Sequence, residues 1–262
     1  MGLELGQALA QRYKIKRQLG RGGNAHVYLA GDMVDGKNRA IKEISKSLDC
    51  RIYEFAYREA EIVRKLNYPY FPQIFDILHT AKADYIVMEY LEGETARERL
   101  DRMGPQPAGE VVRWAKDLCL MLTYLHSYKP PMIYCDLKPD NIMIQSAGNL
   151  RLIDFGAVLE LGKEAGGSRL RLGTRGYAAP EQFDSGKAID ARTDIYALGR
   201  TMYELLTGKS PCKAEAKEFS VRSLKRSMPR KLAQVIRTCT WEEPAKRYRN
   251  CEELREDLII IG

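Results

Sequence analysis

Between Tyr13 and Tyr90 polar and apolar residues alternate in short bursts. YKIKRQLG (13–20), HVYLAGD (26–32) and NRAIKEI (38–44) have the period of two that a strand requires, and PQIFDIL (72–78) and ADYIVMEY (83–90) add two further candidates. One stretch among them breaks the pattern: RIYEFAYREAEIVRKL (51–66) spaces Ile52, Phe55, Ala56, Ile62, Val63 and Leu66 as a helix does. The first third therefore predicts a small antiparallel sheet with one main helix. After Gly93 the period lengthens. Glu110 to Tyr128, Asp194 to Leu206 and Lys231 to Thr240 carry apolar stripes, and Pro180, Pro211 and Pro244 punctuate them. The expected class is α+β and bilobal, a single domain over 1–262 with a sheet lobe at 1–91 and a mainly helical lobe at 92–262. A hinge falls between Glu89 and Gly93, and two lobes of this kind leave a cleft suited to a small ligand.

Composition narrows the setting. With 262 residues, 45% apolar and 29% charged, the chain is of ordinary globular character. Its longest apolar runs, around Leu118 to Leu125 and Leu258 to Ile261, fall far short of the roughly 18 residues that span a bilayer. The start, MGLELGQALAQRY, lacks the basic stretch and long apolar core of a secretion signal, and Gly6 stands where acylation of Gly2 needs a hydroxyl residue. A cytoplasmic location with no membrane segment is expected. Six scattered cysteines (50, 119, 135, 212, 239, 251) form no CxxC pair and read as reduced thiols rather than zinc ligands. The net charge of +7 leaves an acidic partner open. The densest basic run, RSLKRSMPRK (222–231), has no interleaved aromatics and reads as a solvated face, so no nucleic acid is expected.

Three stretches carry candidate chemistry. LGRGGNAHVYLA (19–30) is a glycine-rich turn between strands, which suits either phosphate contact through backbone amides or plain turn geometry. In RAIKEI the strand period puts Ala40 and Lys42 on one face and Ile41 on the other. Lys42 is a surface charge unless a carboxylate meets it, and the following helix offers Glu54, Glu59 and Glu61. IYCDLKPDN (133–141) leads through NIMIQ and the turn SAGN into LRLIDFG (150–156), a hairpin expected to bring Asn141 and Asp154 close together. A carboxylate beside a carboxamide oxygen suits Mg²⁺. Asp136 is then available to orient a hydroxyl and take its proton, and Lys138 to neutralise a phosphoryl group. Any one of these positions alone is met equally well by a polar loop.

Together, in this order, the stretches resemble the protein kinase catalytic domain over nearly the whole chain, from Tyr13 to about Leu258. The resemblance implies a protein-kinase-like fold that binds ATP with Mg²⁺, or Mn²⁺ in its place. Gly20, Gly22, Gly23 and Val27 would cover the phosphates, with Ala25 where a third glycine is usual, and Lys42 would hold the α- and β-phosphates. Its partner would be Glu59, eight residues before the NYP that closes the helix, rather than Glu61, which lies about 200° round the helix from it. Met88 would guard the nucleotide pocket, Glu89 and Leu91 would flank the base, and Val27, Ala40 and Met143 would sandwich it. Asp136 would be the catalytic aspartate, Lys138 its phosphate-contacting neighbour, and Asn141 and Asp154 the metal ligands. GTRGYAAPE (173–181) is similar to the end of an activation segment, with Thr174 against Asp136. Glu181 and Arg247 would form a buried ion pair, and Asp194 would brace the catalytic loop. DLKPDN with Thr174 implies serine/threonine specificity toward protein substrates, autophosphorylation included. The inserts are most similar to the bacterial branch of eukaryotic-type serine/threonine kinases, and a monomer or weak homodimer is expected.

Two departures stand out. Tyr134-Cys135-Asp136 replaces the usual His-Arg-Asp, and a cysteine supplies none of the charge with which that arginine docks a phosphorylated loop. The loop hydroxyls are Ser168, Thr174 and Tyr177. The stretch between Pro211 and Pro229 is also short for a substrate-docking helix. Two other functions compete: a catalytically silent scaffold, opposed by the presence of Lys42, Glu59, Asp136, Asn141 and Asp154, and a small-molecule kinase, opposed by GTRGYAAPE and Arg247.

Overall fold

A computed structural model describes residues 2–21, 25–47, 59–66, 68–162, 173–184, 186–213, 216–224 and 228–261. The chain divides into two compact units, Met1–Glu92 with Ile153–Gly156, and Gly93–Leu152 with Ala157–Gly262. The four residues 153–156, expected with the second lobe, group with the first. They do so because Phe155 packs edge-on against Phe71, with ring centroids 5.3 Å apart, and its amide donates to Glu59.

The first unit is a six-stranded antiparallel sheet: β1 (Ala8–Leu9), β2 (Tyr13–Arg21), β3 (Ala25–Asp32), β4 (Asn38–Ser45), β5 (Ile74–His79) and β6 (Ala83–Glu89), in spatial order β1-β2-β3-β4-β6-β5. The long strands fall within two residues of the alternating stretches. The predicted helix 51–66 is helical at 59–65, here α1, while 51–58 lie outside the described residues. Both faces of β4 are covered. Ile41 lies opposite Tyr28 and Val87 and joins them with Tyr13, Ile15 and Tyr85 in one apolar cluster, while Ile44 joins Ile86 and Ala60 of α1 in another. A strand covered on both sides carries nearly continuous apolar side chains, which Ala40, Ile41 and Ile44 supply. Lys42, paired with Val27 and Ile86, lies on the face that α1 covers.

The second unit is mainly helical, with α2 (Ala96–Met103), α3 (Ala108–His126), α4 (Ala191–Thr207), α5 (Val221–Leu224), α6 (Arg230–Cys239) and α7 (Cys251–Ile261). Short ladders complete it: β7 (Gly93–Thr95), β9 (Ile142–Gln145) and β10 (Leu150–Leu152) form one sheet, and β8 (Met132–Ile133) pairs with β11 (Leu159–Glu160). The predicted hairpin is β9–β10, but its second strand stops at Leu152 instead of running to Gly156. Asp154 takes φ +66°, a left-handed conformation no strand accommodates. Three helices carried no signal of their own in the sequence, the one-turn α5 and the longer α2 and α7. α2 buries only Ala96 and Leu100, and α7 only Cys251, Leu254 and Leu258, too narrow a stripe to stand out.

Every residue of α4 from Thr193 to Leu206 is buried. Its polar side chains must therefore find partners inside the protein. At its start lies the Glu181–Arg247 pair, a two-pronged contact at 2.6 and 2.9 Å between side chains that are 1% and 0% exposed. Arg247 also donates to the carbonyls of Arg192, Trp241 and Glu242, and Thr193 Oγ1 donates to Glu181. Removing one member strands the other charge, at a cost of about 3–5 kcal/mol. Arg247→Ala should lower the unfolding free energy by that amount in urea titrations. A change under about 1 kcal/mol would mean that water reaches Glu181.

Candidate active site

In the first unit, Lys42 Nζ donates to Glu59 Oε2 across the space between β4 and α1. Glu59 Oε1 accepts from the amide of Phe155 at 3.2 Å. One carboxylate thus joins a strand, a helix and the segment that follows β10. Burial works to lower the Lys42 pKa, but the Glu59 and Asp154 carboxylates outweigh it and hold the ammonium charged. Asp154 is exposed, its Oδ1 accepting from the Gly156 amide in a tight turn. As an exposed carboxylate it offers the hard oxygens that a cation ligand needs. Ala40 and Met88 are opposite neighbours on the Lys42 face, and Gly20 pairs with Val27. Leu91 is buried and Glu89 half-buried at the end of β6. Gly22 and Gly23 lie outside the described residues.

In the second unit, Asp136 gathers four hydrogen bonds. Its Oδ1 accepts from the Thr174 amide at 2.8 Å and the Thr174 hydroxyl at 2.7 Å, and its Oδ2 from Lys138 Nζ at 2.8 Å and Asn141 Nδ2 at 3.1 Å. Lys138 Nζ also donates to Thr174 Oγ1 at 2.7 Å. Asn141 Nδ2 donates further to the Asp136 carbonyl at 2.9 Å, which anchors the nitrogen and turns the carboxamide oxygen into the atom available to a cation. Met143, half-buried, lies two residues on in β9. Among the described residues no three His, Cys, Asp or Glu side chains gather as a metal cluster. A cation held by few protein oxygens, with water and phosphate completing its shell, fits that arrangement.

The loop bearing Asp136 is fixed by α4. Asp194, fully buried, accepts from the amides of Tyr134 and Cys135, both at 2.8 Å, and bonds His126 Nε2 at 2.8 Å. Gln182 Nε2 donates to the Cys135 carbonyl at 2.9 Å, and Thr201 Oγ1 to that of Leu137 at 3.2 Å. Cys135 itself takes φ +66° and is buried, its thiol pushed well up by burial and by the Asp194 charge. The structure thus brings Lys42 to Glu59 in one unit and Asp136, Lys138, Asn141 and Thr174 together in the other. Sequence reasoning missed His126, Gln182 and Thr201. A signal existed for the last, a hydroxyl residue within the apolar stripe of Asp194 to Leu206.

The family model described as the protein kinase domain matches residues 13–260. The chain is 31% identical over 268 residues to the serine/threonine-protein kinase PrkC of Bacillus subtilis, spanning 97% of this chain and 41% of that relative. It is 32% identical over 278 residues to the serine/threonine-protein kinase PknB of Mycolicibacterium smegmatis (97% and 44%), and 31% over 276 residues to that of Mycobacterium tuberculosis (97% and 43%). The chain spans less than half the length of these curated relatives. Among the described residues no helix is long and apolar enough to cross a membrane.

The His126–Asp194 contact has a pH signature. Burial alone would lower the His126 pKa, but the bond to Asp194 dominates and raises it to about 10, with the Cys251 thiol 3.9 Å from Nδ1 adding to it. A folded-state pKa above the unfolded value stabilises fully below about pH 6.5, and that contribution is lost as pH climbs toward 10. Unfolding free energy should fall across that window with a slope up to about 1.4 kcal/mol per pH unit steeper than in His126→Gln. Equal slopes in the two chains would show His126 neutral.

Proposed function

Since this chain belongs to the protein kinase domain family, we propose that it transfers the γ-phosphoryl group of ATP to serine and threonine hydroxyls of proteins, its own among them, in bacterial signalling. The observation that carries this reading is the Asp136 carboxylate, held on both oxygens by Thr174, Lys138 and Asn141. A carboxylate so placed can orient an incoming hydroxyl and accept its proton as the oxygen attacks phosphorus. Lys138, bonded to both Asp136 and Thr174, keeps a positive charge where the phosphoryl group would transfer. In the first unit Lys42, positioned by Glu59, holds the phosphates, and Gly20, Gly22, Gly23 and Val27 cover them. Ala40, Met88, Glu89, Leu91 and Met143 surround the base. Asp154 and Asn141 are the ligands of the reading for a divalent cation, Mg²⁺ with Mn²⁺ as substitute. When bound, that cation supplies charge neutralisation to the phosphate oxygens. The reading places the chain in the cytoplasm as a monomer or weak homodimer, with ATP and protein substrates as partners and no nucleic acid.

The test is transfer of labelled γ-phosphate from Mg-ATP to a generic protein. Phosphoserine or phosphothreonine should form with the unaltered chain and fall about 100-fold or more in Asp136→Ala and in Asp154→Ala. Nucleotide binding without transfer would favour a scaffold, and label confined to small metabolites a small-molecule kinase. Cys135 adds a second expectation. It is buried, uncharged and fixed through its backbone, so it gives a loop phosphate no cationic partner. Of the loop hydroxyls, that of Thr174 is bonded to Asp136 and that of Tyr177 to Glu204, while Ser168 lies outside the described residues. Phosphatase-treated protein should therefore start transfer without a lag. A strong recovery only after loop phosphorylation would contradict this.

A further inference from the structure

α2 opens on a capping box. The Thr95 hydroxyl accepts from the Glu98 amide at 3.1 Å, and the Glu98 carboxylate accepts from the Thr95 amide at 2.7 Å. The first turn of a helix favours acids, because its free amides carry positive partial charge. Arg97, second residue of this helix, breaks that preference. A local rule broken this way usually marks a position that serves something other than the helix.

What Arg97 meets is a set of acids on three separate pieces of the second unit. Its Nη2 lies 2.9 Å from Glu204 Oε2 on α4 and 3.0 Å from the Tyr177 hydroxyl, which itself donates to Glu204. Its Nε lies 3.5 Å from Asp140 Oδ2, and Nη1 lies 3.7 Å from Asp101 one turn along α2. Glu204 decides the energetics. It is 2% exposed, so its charge needs a cation, whereas Asp140 and Asp101, 49% and 67% exposed, are screened by water and contribute little. The Arg97 side chain keeps 26% of its surface in contact with solvent, so the position is reachable from outside.

The place matters because both chain segments there lead directly to Asp136. Asp140 precedes Asn141, which bonds the Asp136 carboxylate, and the Tyr177 amide donates to the carbonyl of Thr174, whose hydroxyl and amide also bond it. An acceptor peptide presenting its hydroxyl to Asp136 would lay neighbouring residues across these segments. A buried carboxylate there would bind a basic side chain of that peptide if nothing else neutralised it.

We propose that Arg97 determines peptide selectivity: from within the chain its guanidinium fills the acid-lined position beside Asp136 and turns away substrates that bring their own arginine there. The inference rests on the protein kinase reading of the site. It names the favoured substrate class as serine or threonine flanked by uncharged residues.

Fluorescently labelled serine peptides, identical except for arginine or alanine just before the serine, test it by anisotropy. The unaltered chain should bind the arginine peptide no better than the alanine one. Arg97→Gln should bind the arginine peptide about tenfold more tightly than the unaltered chain does, the scale of one charge-assisted bond, with alanine-peptide affinity little moved. Arg97→Lys, which keeps the charge, should behave as the unaltered chain, and Arg97→Gln combined with Glu204→Gln should lose the gain. The ratio of kcat/KM for the two peptides should shift in step. A tenfold preference of the unaltered chain for arginine overturns the proposal without any variant. So does a folded Arg97→Gln chain with an unchanged ratio, or binding of neither peptide by either chain. The binding arms need no phosphoryl transfer. Failure of the kinase reading would appear separately, as no transfer to any protein by the unaltered chain.

Discussion

A single buried carboxylate organises the second unit. Asp194 sits near the start of a helix buried along nearly its whole length and has no access to water, so its charge must be met by donors from the protein. Three come to it, two consecutive amides of the loop before Asp136 and one ring nitrogen from the end of α3. Because consecutive amides of an extended chain point to opposite sides, accepting both on one carboxylate fixes the path of the backbone at that spot. The left-handed Cys135, at a cost on the order of 1 kcal/mol, belongs to that path. Once it is set, the positions of Asp136, Lys138 and Asn141 follow from it.

The first unit uses a carboxylate in a comparable way. Glu59 divides its two oxygens between the ammonium of Lys42 and the amide of Phe155, and the adjoining Asp154 is also left-handed. In each unit an acid reaches across the chain to grip an amide beside a non-glycine residue in a sparsely populated conformation. Such strain persists only where several contacts over-determine it, and here it flanks the residues that carry the chemistry.

The sequence patterns made the sheet legible because its strands alternate or run apolar, and β4 with Ala40, Ile41 and Lys42 shows how a register of two sorts faces without any coordinates. α3, α4 and α6 were legible for the same reason at the longer period. α2 and α7 were not, since two or three buried residues each do not rise above the background of charged positions. At the site, Asp136, Asn141 and Asp154 were legible as residue types whose pattern resembled a known set. The choice of Glu59 as the partner of Lys42 came from the resemblance, through its distance from NYP, since the helical pattern alone left Glu54, Glu59 and Glu61 open. His126, Gln182 and Arg97 act through contacts to residues far along the chain, and nothing local distinguishes such a histidine, glutamine or arginine from a solvated one. Arg97 did leave a faint trace as a cation in a helix turn that prefers acids.

Arg200 illustrates a different way of housing an ion. Its guanidinium lies 3.9 Å from the Phe219 ring centroid and donates to the carbonyls of Gly176 at 2.6 Å and Pro211 at 2.8 Å, while burial lowers its pKa. Among the described residues no carboxylate pairs with it. Dipoles and an aromatic face stand in for a counter-ion. Since the grip falls on the peptide oxygens of Gly176 and Pro211, it reads the course of the backbone and not the side chains there. Gly176 is held to glycine on separate grounds, its φ of +91° and a Cys212 backbone 2.7 Å from where a Cβ would stand, so the guanidinium grips a turn whose shape its own sequence already enforces.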